Sequence, residues 1–238
     1  MGANKARWNC GLPFAVTVKI AAMDERVAAK HPERLGATLA KCYPKARCEL
    51  MARHPWELLI AAILSARTSD IQVNKVMAVL NEHFCGPDAY AQMDHIELAR
   101  IIRKLPLYQQ KARAIVEAAR KVITRHGGEV PDNMQDLASL PGVGRKVAAV
   151  VLGNAFDIPA IAADTHVQRI VRRLGWTERE NAIEAERALA SRFPPHFWTA
   201  LCHQLIRLGR EHCRPLSPKC STCPIGADCP KHGVGETR

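Results

Sequence analysis

The stretch Leu140-Pro141-Gly142-Val143-Gly144-Arg145-Lys146 joins a polar, helix-starting run, Pro131 to Ser139, to an apolar one, Val147 to Leu152. Two glycines flank a single valine, and glycine lets a backbone turn tightly and another backbone come close. The second helix is expected to start at about Arg145, so its unpaired amides and positive dipole end point out of the hairpin. A helix N-terminus of that kind is an anion site, and phosphate is the anion that suits a basic protein. Lys146 then falls in the first turn of that helix, within reach of whatever the hairpin holds. Read alone, the stretch is equally a plain helix-turn-helix corner with Gly as its C-cap.

The chain around it has 238 residues, enough to bury one large core or two small ones. Its formal charge of +11, from 34 Lys+Arg against 23 Asp+Glu, asks for a polyanionic partner. Nucleic acid comes first and an anionic membrane surface second. The longest apolar run, Leu58 to Leu64, is far short of the ~20 residues a bilayer span needs. The apolar patch from Leu12 to Ile20 is broken by Lys19 and lacks a signal-peptide pattern. No membrane partner and a cytoplasmic protein are therefore expected, nucleoid-associated if the source is bacterial.

Residues 1–23 read as a basic tail. A helix is expected from Met23 to Lys41, with Asp24 as N-cap and Val27, Leu35 and Leu39 among its apolar positions, interrupted by Pro32. His54-Pro55 opens a second, Trp56 to Ala66, apolar on all sides and so expected at the centre of a bundle. Ser69-Asp70 caps Ile71 to Phe84, and Gly86-Pro87 stops it. Further helices are expected at Asp94 to Lys104, Gln109 to His126, Asn133 to Ser139, Arg145 to Asn154, Thr165 to Leu174 and Ala182 to Arg192. A last one, Pro195 to Leu208, is ended by Gly209. Alternating strand-type runs are missing, so the fold class is all-α.

Nine cysteines are many for a cytosolic chain, where disulfides are rare. Cys10, Cys42, Cys48, Cys85 and Cys202 are scattered and read as small core or surface residues. Cys213, Cys220, Cys223 and Cys229 instead follow the spacing C-x6-C-x2-C-x5-C in a segment rich in Pro, Lys and Arg. That segment has too few apolar neighbours for four accidental core thiols, so a metal site is expected. On spacing alone both Zn2+ and an iron–sulfur cluster stay open. The single C-x2-C knuckle leans toward a cluster. With all four ligand positions filled by protein, the site is structural.

Asp164-Thr165-His166 follows the turn Phe156-Asp157-Ile158-Pro159. Asp164 ahead of Val167, Ile170 and Val171 is a good N-cap. The helix from Arg145 carries the chain about 15 Å away in ten residues at ~1.5 Å each. The eight residues from Phe156 to Ala163 span up to ~26 Å when extended, enough to return Asp164 to Lys146. A helix N-terminus would hold a carboxylate ionised and push a lysine toward its neutral, nucleophilic form. Such a pair suits attack at a sugar carbon: the amine displaces a base at C1′ and forms a Schiff base, and the carboxylate stabilises the positive charge on the sugar. A lysine that merely touches phosphate is the plainer alternative.

Together these residues resemble the endonuclease III branch of the helix-hairpin-helix DNA glycosylases. The resemblance rests on Leu140 to Lys146, on Asp164-Thr165-His166 and on the four-cysteine spacing. Leu64-Ser65-Ala66 with Asp70, and Leu107-Tyr108 with Lys111-Ala112, are similar to two further family segments. It runs from about residue 24 to 230 in one unbroken order. It implies a two-lobed, all-α fold: a six-helix barrel at 48–158, and an iron–sulfur cluster domain at 24–47 and 159–230, with 231–238 as a C-terminal tail. It further implies that Lys146 is the Schiff-base nucleophile and Asp164 the catalytic aspartate. Leu140, Gly142, Val143, Gly144 and Arg145 would meet the DNA backbone, with His166 a further DNA contact. Cys213, Cys220, Cys223 and Cys229 would hold a [4Fe–4S] cluster. The partner implied is double-stranded DNA with a damaged pyrimidine or an abasic site, engaged by a monomer. The target base leaves the stack, and Leu107 matches a residue that wedges into the duplex.

Four departures bear on specificity. Arg67 stands where the family usually has Gln, at a position that fills the space of the displaced base; Arg is longer, charged and able to stack. Pro106 stands where Gly commonly precedes Leu107-Tyr108 and should stiffen that loop. Val147 replaces a usual Thr, and Ala163 a usual Val. The expectation is a bifunctional glycosylase with a narrowed or shifted lesion spectrum, down to an enzyme that is mainly an abasic-site lyase. A monofunctional mismatch glycosylase is the second reading, opposed by Lys146. A non-catalytic DNA-binding metal protein is the third; it leaves Asp164 no role beyond capping.

Overall fold

Pro55-Trp56-Glu57-Leu58-Leu59-Ile60-Ala61-Ala62-Ile63-Leu64 has no polar face to offer water, and it forms a helix whose residues from Trp56 to Leu64 are all buried. The computed structural model describes residues 31–235 and 237, and among these every regular element is helical. They are α1 (His31–Cys42), α2 (Pro55–Leu64), α3 (Asp70–His83), α4 (Gly86–Gln92), α5 (His95–Ile101), α6 (Tyr108–His126), α7 (Met134–Ser139), α8 (Arg145–Ala155), α9 (Thr165–Arg173), α10 (Ala182–Ala190) and α11 (Trp198–Glu211). The chain divides into two compact units, with boundaries between Cys48 and Glu49 and between Ile158 and Pro159. No described helix is long and apolar enough to cross a membrane.

The first unit carries α2 to α8. α2 lies at its centre, packed by α8, α3, α6 and α4. Glu57 is also buried there, because Arg53 meets it at 2.7 Å through Nη2 and donates its backbone amide at the same distance. Trp56 and Phe84 each lie 5.7 Å from the ring of Tyr90, which ties α4 to the core. Ser69 caps α3, Asp94 caps α5 and Asn133 caps α7, each by accepting a backbone N–H.

The second unit combines α1 with α9 to α11. α9 packs on both α10 and α11, and α1 packs on α11. Leu35, Leu39, Val167, Ile170, Val171, Leu189, Leu205 and Leu208 form its core. Cys213, Cys223 and Cys229 pack against that core, and Ile225 lies within it. The cysteine segment therefore does have apolar neighbours, contrary to its local composition, because they come from α9 and α11. Of the scattered cysteines, Cys202 is buried, Cys48 half-buried and Cys42 exposed.

Three expectations change. The tail 1–23, Asp24 and Val27 lie outside the described residues, as does the part of the helix ahead of Pro32, which occupies the first turn of the described part of α1. Gly86-Pro87 not only stops α3 but opens α4, since Gly86 takes φ +70° and Pro suits a helix's first turn. α2 ends at Leu64, short of Ala66. Gly209 does not end the last helix: α11 starts after a 3-10 turn at Pro195–Phe197 and runs through Gly209 to Glu211. A side chain at 209 would come within 2.6 Å of the His166 ring, so this glycine serves helix contact rather than termination.

Leu59 is fully buried in α2, whereas Ile71 is 68% exposed. Leu59→Ala is expected to cost about 2–5 kcal/mol, and Ile71→Ala to stay within about 0.5 kcal/mol, both read from denaturant midpoints.

Candidate functional site

The hairpin is held by its apolar residues and left open by its glycines. The Leu140 amide donates to Leu137 O at 3.0 Å and the Val143 amide to Leu140 O at 3.1 Å. Leu140 and Val143 are both buried, so they pin the turn to the core and offer only main chain outward. Gly142 takes φ +75°, and a Cβ there would lie 2.8 Å from the Ala114 Cβ and 3.4 Å from Ile63 Cγ2. Gly144 differs: its φ is −85° and nothing lies within 4 Å of a Cβ at that position. It is the N-cap of α8 and has no side chain to make a cap hydrogen bond. Arg145 is exposed and Lys146 half-buried in that same turn. An N-terminus with a glycine cap facing open space, and a lysine in its first turn, is a site for an anionic group.

Asp164 belongs to the second unit and is half-buried at the start of α9. Its Oδ1 accepts from the amides of His166 and Val167, both at 2.9 Å. The capping role read from sequence is therefore present, and it fixes the carboxylate's orientation. His166 points its ring toward Gly209, and its Nδ1 lies 3.0 Å from Arg169 Nη2. Burial and the Arg169 and Arg210 charges together depress the imidazole pKa, outweighing the pull of Asp164.

Sequence reading missed the two arginines that follow. Arg169 and Arg173 are both buried, four residues apart on α9. Arg169 Nε donates to Cys213 O at 3.0 Å, and Arg173 Nη1 to Cys213 Sγ at 3.2 Å and Arg214 O at 2.7 Å. The available signal was their place beside Val167, Ile170 and Val171, where an arginine needs buried acceptors.

Cys213, Cys220, Cys223 and Cys229 line one cavity, closed by Ile170, Leu208 and Ile225. Among the described residues no group of three or more His, Cys, Asp or Glu side chains is arranged to hold a single metal ion. Burial, then the charges of the neighbouring cysteines, pushes the Cys223 thiol up to about 11, and burial raises that of Cys229. Four thiolates converging in so apolar a place need positive charge to offset them, and soft sulfur donors in that number suit an iron–sulfur cluster. Gly226 permits the turn: a Cβ there would stand 2.8 Å from Cys220 O and 3.0 Å from Cys223 O.

Two further residues singled out in the sequence share an unusual backbone. Arg67 and Leu107 both take φ +58° without being glycine, a left-handed conformation that costs about 1 kcal/mol or more. Arg67 is exposed in the turn between α2 and α3, and Leu107 is 44% exposed at the N-cap of α6. Buried Lys111, within the first turns of α6, was quoted from the sequence only as part of a segment. Its Nζ donates to Leu64 O at 2.9 Å and Ala66 O at 2.7 Å.

Residues 60–195 match the HhH-GPD superfamily base excision DNA repair protein family. The endonuclease III of Bacillus subtilis (strain 168) is 40% identical over 190 residues, 79% of this chain and 86% of that protein. That of Escherichia coli (strain K12) is 38% identical over 186 residues, 78% of this chain and 88% of that one. A solved structure of a trapped covalent intermediate of an endonuclease III with DNA, in an estranged-adenine complex, superposes with a TM-score of 0.80. It is 41% identical in sequence and covers 84% of this chain and 96% of its own. The chain belongs to the HhH-GPD superfamily of base excision DNA repair proteins, and within it to the endonuclease III family.

The two hairpin glycines should separate stability from binding. Gly142→Ala is expected to destabilise the protein by about 1–3 kcal/mol, through strain at positive φ and collision with Ala114. Gly144→Ala should cost no more than about 1 kcal/mol yet weaken duplex binding, measured by fluorescence anisotropy alongside thermal unfolding.

Proposed function

We propose that Lys146 is the amine nucleophile and Asp164 the carboxylate of a bifunctional enzyme acting on damaged pyrimidines and abasic sites in duplex DNA. The chain is a DNA glycosylase and AP lyase of base excision repair. The observation that carries the residue assignment is the first turn of α8, where Lys146 follows the N-cap Gly144, a residue with no side chain to cap the helix. The amides of that turn take a phosphate of the DNA backbone and so aim the amine at the sugar next to it. As Nζ forms its bond to C1′, the bond from C1′ to the base breaks and the base leaves with the electron pair and gains a proton. The positive charge that grows on the sugar is met by Asp164, whose orientation is set by the two α9 amides on Oδ1. Ring opening leaves an imine, loss of a C2′ proton expels the 3′ phosphate, and water then releases Lys146. A relative 41% identical in sequence being trapped covalently on DNA supports the amine chemistry.

Arg67 and the Pro106-Leu107 pair set which lesion is accepted, with a spectrum narrower than that of a Gln- and Gly-bearing loop, and the protein acts as a monomer. Cys213, Cys220, Cys223 and Cys229 hold a [4Fe–4S] cluster, which when bound braces the C-terminal segment against α9 and α11. Arg173 donates a hydrogen bond to the Cys213 sulfur and offsets its charge.

Borohydride added during reaction with an abasic-site duplex is expected to trap a covalent adduct, and Lys146→Ala to abolish it. An undiminished adduct in that variant would overturn the assignment. Asp164→Asn keeps an N-cap, since Asn and Asp cap almost equally. It should therefore unfold near the wild-type temperature while base release falls on the order of 100-fold. A stable variant with full activity would reduce Asp164 to a cap. Purified protein should be brown and contain iron and acid-labile sulfide, both reduced by Cys220→Ser; a colourless zinc protein would refute the cluster.

A further inference from the structure

Among its described residues the first unit has three exposed, non-glycine residues in the left-handed backbone region, Arg67, Leu107 and Asp157, and the first two share the same φ of +58°. Strained conformations of this kind persist only where surrounding contacts over-determine them. Neither the Arg67 nor the Leu107 side chain is buried to supply those contacts. We propose that Lys111 is a positioning residue that holds both turns at once, and so presents Arg67 and Leu107 together to the duplex. The proposal rests on the reading that these two residues meet DNA at the displaced base.

Two of the three hydrogen bonds of Lys111, one from its ammonium and one from its backbone amide, fall on peptide groups that adjoin the two left-handed residues. Ala66 C=O belongs to the peptide plane leading into Arg67, so Nζ at 2.7 Å from it orients the plane that defines the Arg67 φ. The second Nζ bond, to Leu64 O at 2.9 Å, fastens the last residue of α2 one turn earlier. On the other side, the backbone amide of Lys111 donates to Leu107 O at 3.0 Å, fixing the plane that leads out of Leu107. One residue thus clamps the exit from one left-handed residue and the entry to the other.

The chemistry of Lys111 also argues for a dedicated role. It is 5% exposed, and the partners of its ammonium are backbone carbonyls rather than a carboxylate. Burial alone disfavours the charged amine and lowers its pKa. What compensates is the C-terminal end of α2, where carbonyls lack helical partners and the dipole is negative. An apolar residue would fill this place at less cost if α6 needed only to pack on α2.

The test uses full-length, cluster-loaded protein and two duplexes, one carrying thymine glycol and one a pre-formed abasic site. Removing thymine glycol requires a base to be taken from the stack, and cleaving the abasic site does not. Lys111→Met keeps length and apolar contact but removes both Nζ bonds. Single-turnover base release is expected to fall about 10- to 100-fold, and abasic-site cleavage by less than about threefold. Lys111→Arg, which restores donors, should recover most of the loss. Equal loss on both duplexes, or no loss on either, would overturn the clamp. Hydrogen exchange reads the clamp without any substrate. In Lys111→Met, whose backbone amide still donates to Leu107 O, the amides at 66–69 should exchange faster, with 107–110 and the rest of the unit unchanged; unchanged exchange at 66–69, or faster exchange across the whole unit, would refute it. Lys111→Gln replaces Met in the same exchange comparison if Met does not yield folded protein. A wild-type enzyme inactive on both duplexes would strike the proposed function, and the exchange result would still decide the clamp.

Discussion

Burial of α2 is the constraint on which the first unit depends. Nine consecutive residues, Trp56 to Leu64, leave no polar stripe, so the helix is satisfied only when surrounded. α3, α4, α6 and α8 supply that surrounding. Two consequences reach the surface. Ile63 presses on the space beside Gly142, so the hairpin turn is moulded on the core helix itself. And α2 ends at depth, which leaves carbonyls that must find a donor inside the protein; Lys111 is that donor.

Helix ends then supply most of the chemistry, each in a different way. The N-terminus of α8 starts at Gly144, which has no capping side chain, and faces open space. That of α9 is taken by Asp164, so its amides orient a carboxylate of the chain instead of an external anion. The C-terminus of α2 is closed by an ammonium. The same kind of helix-end backbone group thus lies at a glycine cap, orients a carboxylate or meets an ammonium, depending on which side chain arrives.

In the second unit α9 links the Asp164 cap to the cysteine centre. Its apolar side meets the core through Val167, Ile170 and Val171, while Arg169 and Arg173 reach from it to Cys213 and the backbone that follows. Placing the two guanidinium groups near sulfur offsets the charge that four thiolates would bring into an apolar cavity. Close helix contact at Gly209 and the tight turn at Gly226 are the steric conditions for this arrangement.

By itself the sequence determined the all-α class, the central helix, the hairpin with its helix start at Arg145, the Asp164 cap and the cysteine spacing. Each is a local pattern: an apolar run, a Gly-x-Gly turn, a capping residue, a ligand interval. Tertiary structure alone decided which hairpin glycine bears strain and which faces open space, since both look alike in the sequence. It also decided that Gly209 serves helix contact, that Gly86-Pro87 begins a helix as well as ending one, and that Leu140 and Val143 point inward. The clamp at Lys111 was likewise invisible, because Lys111 and the two carbonyls its ammonium meets lie 45 and 47 residues apart in sequence. Local patterns report the backbone's own preferences. What a buried polar group or a small residue is for depends on the atoms that folding brings against it.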